Sequence, residues 1–249
     1  MDKALYDMVY KRKSFHFFVN VGNESLDEKE IEQIYDAYKD FCPLYKDIKT
    51  AIRIVKMNKR GSEYCILMYS EQKDNYLQNI GYLGEQLDLY LVSKNIGTLW
   101  YGIGKPDIKY YGDLDYVIMI AIHKVSDIDK YRQDMFQSKR KKIDEMWVGR
   151  QIEGVTNIVR FAPSACNSQP WLVKNEDSLL IYRYKKPGKR GIMPAKMVSF
   201  YNRIDMGIFL CFLDLCLIHE NIRYRKELFV DRGGDNELVL NASYELLHD

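Results

Sequence analysis

Histidine occurs only four times in 249 residues, and the five cysteines (Cys42, Cys65, Cys166, Cys211, Cys216) are an odd number without a Cys-x-x-Cys pair. Those scarcities exclude the common zinc-ligand patterns and argue against a disulfide framework. No charge sign dominates either. The 37 Lys+Arg against 35 Asp+Glu leave a net charge of +2, which is not the heavily basic surface of a nucleic-acid binder. The longest apolar run, Met206–Ile218, is too short to span a bilayer and is interrupted by Asp214. Met1 to Lys13 alternates charged and apolar residues and so carries no secretory apolar core. The expectation is a cytoplasmic protein in a reducing compartment, with no nucleic-acid or membrane partner.

What is present is an ordinary globular composition, 47% apolar and 29% charged, with 20 tyrosines against three tryptophans. The length is long for one domain and short for two full ones. Helical spacing opens the chain, with Ala4, Leu5, Met8 and Val9 on one face of a helix ending near Lys13. Ser25-Leu26-Asp27-Glu28 reads as a capping box, with Ser25 as the cap, for a helix running to about Phe41. Strands are expected over Ala51–Met57 and Tyr64–Tyr69, a helix over Gly81–Asn95 capped by Gly97, and a central strand over Tyr116–Ile122. A second round follows: a helix over Gly149–Phe161, strands over Trp171–Lys174 and Leu179–Tyr184, a helix over Asp205–His219 and a strand over Glu237–Ala242. The recurrence, at an offset of about 120 residues, points to tandem duplication, with halves at 1–134 and 135–249. Lys185 to Arg190 reads as a solvated basic turn.

One segment concentrates unusual chemistry: Ala162-Pro163-Ser164-Ala165-Cys166-Asn167-Ser168-Gln169-Pro170-Trp171. Two prolines bound a small polar stretch, and the amides of Asn167 and Gln169 lie two residues apart. A rigid loop of this kind can turn backbone N–H groups and amide side chains towards a planar heterocycle, although a Pro-bounded connection is an equal reading of the composition.

This segment resembles the Ala-Pro-Ser-x-x-Asn-x-Gln-Pro-Trp signature of FMN-dependent nitroreductases. Three further stretches are similar to that family: Arg12-Lys13-Ser14-Phe15-His16-Phe17-Phe18, the run Gly84–Tyr101, and the basic stretch Ser138–Met146. The resemblance implies an α+β fold, a three-layer α/β/α sandwich in which two tandem half-domains form a pseudo-dimer within one chain. It implies FMN as cofactor, NAD(P)H and a small aromatic acceptor as partners, and ping-pong hydride transfer to nitroaromatic or quinone-type acceptors by a monomeric pseudo-dimer. A flavin-binding protein without significant turnover is the alternative.

By the same resemblance, Arg12, Ser14, Lys139 and Arg140 would meet the FMN phosphate, which carries about −1.5 to −2 charge, and Lys13 belongs to the same cofactor-binding motif. Trp100, Tyr101 and Gly102 would form the turn near flavin N5, and Pro163, Ser164, Ala165, Asn167 and Gln169 the loop at the ring. His16 stands where relatives carry Arg or Lys, so the reduced flavin anion would lose a fixed cation and the flavin would be harder to reduce. No catalytic side chain and no metal is expected. In the first half Phe41–Lys46 lacks the amide pair, and Asn221–Lys226 lacks a glycine, so one FMN per chain is expected.

Overall fold

The computed structural model describes residues 3–186, 191–232 and 237–247. Pro187–Arg190 of the basic turn lie outside the described residues. The chain is a mixed α+β protein that divides into two compact units: Met1–Tyr76 with Leu83–Gln137, and Leu77–Tyr82 with Ser138–Asp249.

The first unit opens with a short 3-10 turn and α1 (Tyr6–Lys11), followed by α2 (Glu28–Asp40). The cap of α2 is Asp27 rather than Ser25, with Asp27 Oδ1 accepting the Glu30 N–H at 2.7 Å and Glu30 Oε2 accepting the Asp27 N–H at 3.1 Å. Leu26 decides this shift. Its side chain is buried and its N–H is held by Glu63 Oε2 at 2.9 Å, so the chain stays extended past it before turning.

An antiparallel hairpin of β1 (Thr50–Lys56) and β2 (Tyr64–Ser70) leads into α3 (Tyr76–Ser93), then β3 (Ile96–Trp100), β4 (Tyr110–Tyr111) and β5 (Leu114–Lys124). The sheet order is β1-β2-β5-β3, with β4 pairing the start of β5. Nearly every β2 residue is buried, as befits a central strand covered on both faces. Cys65, Leu67 and Tyr69, at every second position, join Met119 and Ala121 of β5 in a core capped by Phe15, Phe18 and Tyr131. The turn after α3 is made by Asn95 at φ 55°, while the expected cap Gly97 lies inside β3.

The second unit contains β6 (Trp147–Gly149), α4 (Thr156–Val159), the hairpin β7 (Trp171–Asn175) and β8 (Leu179–Tyr184), then α5 (Val198–His219), β9 (Arg223–Leu228) and β10 (Leu238–Leu247). Its sheet runs β6-β7-β8-β10-β9. Hairpin, last strand, strand after the long helix is the order found in the first sheet too. The helix expected over Gly149–Phe161 shrinks to α4, because Gly154 takes φ +70° and Trp147–Gly149 pairs with β7 as a parallel strand. The helical period misreads a strand, a turn and one helical turn as one element.

The long apolar helix α5 packs on β7 through Trp171 and Phe209, whose rings stack at 4.8 Å. Where α5 meets the first turns of α3, Gly207 and Gly81 face each other. A Cβ on Gly81 would strike the Ile204 carbonyl oxygen, and one on Gly207 the Gln78 carbonyl oxygen. Asp214, the charge inside the apolar run, accepts from Tyr82 Oη at 2.5 Å and Lys226 Nζ at 2.6 Å.

Candidate functional site

In the second unit, the loop between α4 and β7 holds three non-glycine residues in the left-handed region within four positions: Cys166 at φ 51°, Asn167 at 54° and Gln169 at 46°. Asparagine tolerates this region; cysteine and glutamine do so at a cost of roughly 1–2 kcal/mol each. The surroundings must over-determine such a backbone, and they do. Asp205 Oδ1 of α5 accepts the Ala165 N–H at 2.9 Å, and Ser164 Oγ accepts the Gln169 N–H at 2.9 Å. Ser168 Oγ, fully buried, lies 3.3 Å from Asn202 Oδ1 and 3.4 Å from Asp205 Oδ2. Carbonyls of Ser164 and Ala165 accept the N–H groups of Asn167 and Ser168, each at 3.0 Å. Most of the loop's N–H groups are therefore spent on its own shape.

The amides serve the neighbouring basic segment. Asn167 Oδ1 accepts from Arg140 Nη1 at 3.0 Å, and its Nδ2 donates to the Lys139 carbonyl at 3.1 Å. Gln169 Oε1 accepts the Lys141 N–H at 2.9 Å, while Lys141 Nζ donates to the Gln169 carbonyl at 2.9 Å. Lys139 and Arg140 are thus brought beside the loop, the first exposed and the second half-buried. Pro163 is buried, and Ser164 and Ala165 are half-buried.

In the first unit, Arg12 is 3% exposed, and its Nε lies 2.8 Å from Asp88 Oδ2 and 3.3 Å from Glu85 Oε1. Asp88 also accepts from Thr98 Oγ1 at 2.5 Å and from Trp100 Nε1 at 2.9 Å. Glu85, fully buried, has neither oxygen hydrogen-bonded among the described residues, and burial lifts its carboxyl well above the usual range despite the pull of Arg12. One guanidinium thus faces two carboxyls and is matched by them.

The remaining expected residues of this unit are spread around that cluster. Lys13 Nζ donates to the Lys130 carbonyl at 2.7 Å, Ser14 bridges Thr98 as a short parallel pair, and His16 is exposed. Trp100 ends β3, and Tyr101 and Gly102 follow it half-buried, with the Tyr101 N–H held by the Met119 carbonyl at 2.9 Å.

A family model described as "Putative TM nitroreductase" matches residues 4–216. The chain is a member of this nitroreductase family. It is similar to a "putative nitroreductase" from Thermotoga maritima MSB8 at 20% identity, over 97% of this chain and 92% of that one, with a TM-score of 0.59. Weaker likenesses are to a "putative nitroreductase in complex with FMN" from Desulfovibrio desulfuricans (12% identity, 61% of this chain, 99% of that one, TM-score 0.41) and a nitroreductase family protein from Clostridium difficile 630 (10%, 61%, 99%, 0.45). No curated protein matches the chain. Membership places it among the oxidoreductases. Among the described residues no His/Cys/Asp/Glu cluster could hold a metal, and no helix is long and apolar enough to cross a membrane.

Two residues of this family member escaped the sequence reading: Asp88 and Asp205. Both had a signal, a carboxylate inside an apolar helix, since an ionisable group there must be matched by donors nearby. Asp205 is the sharper case. Burial lifts its carboxyl to about 8, against the pull of the Ala165 N–H and Ser168.

Proposed function

We propose that this nitroreductase is an FMN-dependent NAD(P)H oxidoreductase acting on nitroaromatic or quinone-type acceptors. The observation that carries the reading is the cluster of left-handed residues Cys166, Asn167 and Gln169, at the position of the family's Ala-Pro-Ser signature. Backbone strain held by so many bonds concentrates at sites of function rather than in ordinary connections. The fit to a flavin nucleotide rests on the donors around it. Arg140 and Lys139, fixed at the rim of the loop, suit a phosphate-bearing ligand.

When bound, FMN supplies a two-electron carrier that takes a hydride from the nicotinamide and passes it to the acceptor. The chain's own residues do the holding. Asp205 and Ser164 fix the loop, Asn167 and Gln169 fix the basic segment, and Asp88 fixes the Trp100 indole before the Tyr101-Gly102 turn. None is required as a nucleophile or an acid.

We also read the two sheets of like strand order as products of one duplication. Gly81 and Gly207, Asp88 and Asp214, and the left-handed Asn95 and Asn221 recur at one shared spacing. The amide pair is found only in the second half, so a single FMN per chain is expected.

Titration of purified protein with FMN, followed by flavin fluorescence, is expected to saturate near one FMN per chain. Added NADH or NADPH should then be oxidised steadily with a nitroaromatic acceptor present. Failure to bind FMN ends the reading, and binding without nicotinamide oxidation leaves a flavin-binding protein and overturns the enzyme.

A further inference from the structure

In the first unit two backbone segments run side by side: the Arg132 N–H donates to the Lys11 carbonyl at 3.2 Å, and Lys13 Nζ donates to the Lys130 carbonyl at 2.7 Å. The pairing gathers Lys11, Arg12, Lys13, Lys130 and Arg132. Four of these cations are already engaged. Lys11 Nζ donates to Asn95 Oδ1 at 2.8 Å, Arg12 is matched by Asp88 and Glu85, Lys13 is held on the Lys130 carbonyl, and Lys130 lies 3.9 Å from Asp127 Oδ2.

Arg132 is different. Its guanidinium is half-buried, and no hydrogen bond or ion pair engages it among the described residues. Burial, and then the charge of Arg12, push its proton affinity down to about 10. A half-buried cation beside another cation gains when an anion is placed against it.

We propose that Arg132 is the anion-binding residue of the first unit and takes the phosphate monoester of the flavin nucleotide, the part the sequence motif gives to Arg12. The proposal rests on the FMN reading above. Arg12 is left as a positioning residue, its charge spent on the carboxyls of α3. A guanidinium suits the ligand because its planar fork matches two oxygens of a phosphate at once. Ser14, in the same strand-like segment as Arg12, keeps a half-buried hydroxyl whose nearest recorded partner, Arg12 Nη2, is 3.5 Å away.

The test compares FMN with riboflavin, which has the same ring and no phosphate, on apo-protein carrying Arg132→Gln or Arg132→Lys. R132Q is expected to weaken FMN binding by about 10- to 100-fold and riboflavin binding by less than about twofold. The apo R132Q protein should melt no lower than wild type, because the residue removed has no partner there. R132K keeps the charge without the planar fork and is expected to retain an intermediate preference for FMN. A preference unchanged in both variants overturns the assignment, and so does equal weakening of the two flavins.

If wild type binds neither flavin, the FMN reading falls, and inorganic phosphate decides the anion site. Thermal stabilisation by phosphate over chloride at matched ionic strength, lost in R132Q, supports it; no stabilisation of wild type overturns it.

Discussion

Asp205 Oδ1 accepts the backbone N–H of Ala165 at 2.9 Å, so a carboxyl in the middle of a buried helix fixes the first turn of the strained loop. Because burial lifts that carboxyl to about 8 in the fold, against an ordinary value of 3.8, the folded protein keeps a proton that the unfolded chain gives up. Folding therefore takes up a proton between about pH 4 and pH 8, and this group's contribution to stability falls as pH rises through that window and levels off above it. The slope is about 1.4 kcal/mol per pH unit. Asp205→Asn keeps an acceptor for Ala165 and cannot ionise. Urea denaturation from pH 5 to 9 should show a flatter pH dependence for D205N by about that slope; parallel profiles would contradict the assignment.

The two carboxyls facing Arg12 should differ in what their removal costs. Burial holds the Glu85 carboxyl well above its usual range and so favours its uncharged form, and Glu85→Gln should cost less than about 1 kcal/mol. Asp88→Asn leaves a buried guanidinium without its main counter-charge and weakens the anchor of Trp100, at a cost of about 3–5 kcal/mol. Chemical denaturation of the two variants checks the order, and equal losses would mean that the charge is shared between them.

At the crossing of α5 with the start of α3, Gly81→Ala and Gly207→Ala each drive a methyl group into a backbone carbonyl that cannot rotate away. Each should lower stability by about 3 kcal/mol or more, read from the denaturation midpoint. Gly112→Ala, whose added Cβ would meet nothing within 4 Å but whose φ is +63°, isolates the cost of backbone strain and should lose only about 1–2 kcal/mol.

Two thiols, Cys42 and Cys166, are exposed, and Cys65, Cys211 and Cys216 are buried. A thiol reagent should label two cysteines quickly in the native protein and five after denaturation. Cys166 sits in the left-handed run, so FMN should slow its labelling and leave Cys42 unchanged. Equal rates at Cys166 with and without FMN would remove the loop from the flavin site.

Most of the regular framework was legible because it rests on local signals. The strand Leu179–Tyr184 emerges with the expected limits and α2, β1 and β2 within a residue or two, while α3 and α5 begin five and seven residues earlier than expected, β10 ends five later, and β3 was not expected as a strand. The exceptions share a cause. Leu26, Gly149 and Arg223 adopt their conformations because of distant partners: the core and Glu63, the neighbouring strand β7, and the neighbouring strand β10. Arg223–Leu228, which overlaps Asn221–Lys226, the stretch set against the flavin-facing turn, is an edge strand whose alternating charges face water. The site shows the same division. The loop motif was plain in the sequence, while the engagement of Arg12 by α3 and the isolation of Arg132 depend on which side chains the fold places next to one another.

Leu77–Tyr82 belong with the second unit although they precede it by more than fifty positions. Gln78 Nε2 reaches Asp231 and Asn241 at 3.4 Å, and Tyr82 donates to Asp214. During synthesis these six residues leave the ribosome early, in a helix that the first unit already needs, and wait for nearly all of the remaining chain. The second sheet can close around its buried Arg183–Asp231 pair only after its own last strand has emerged. A nascent chain halted before Leu238 therefore leaves one helix half-satisfied, with Gly81 and its neighbours open to misdocking.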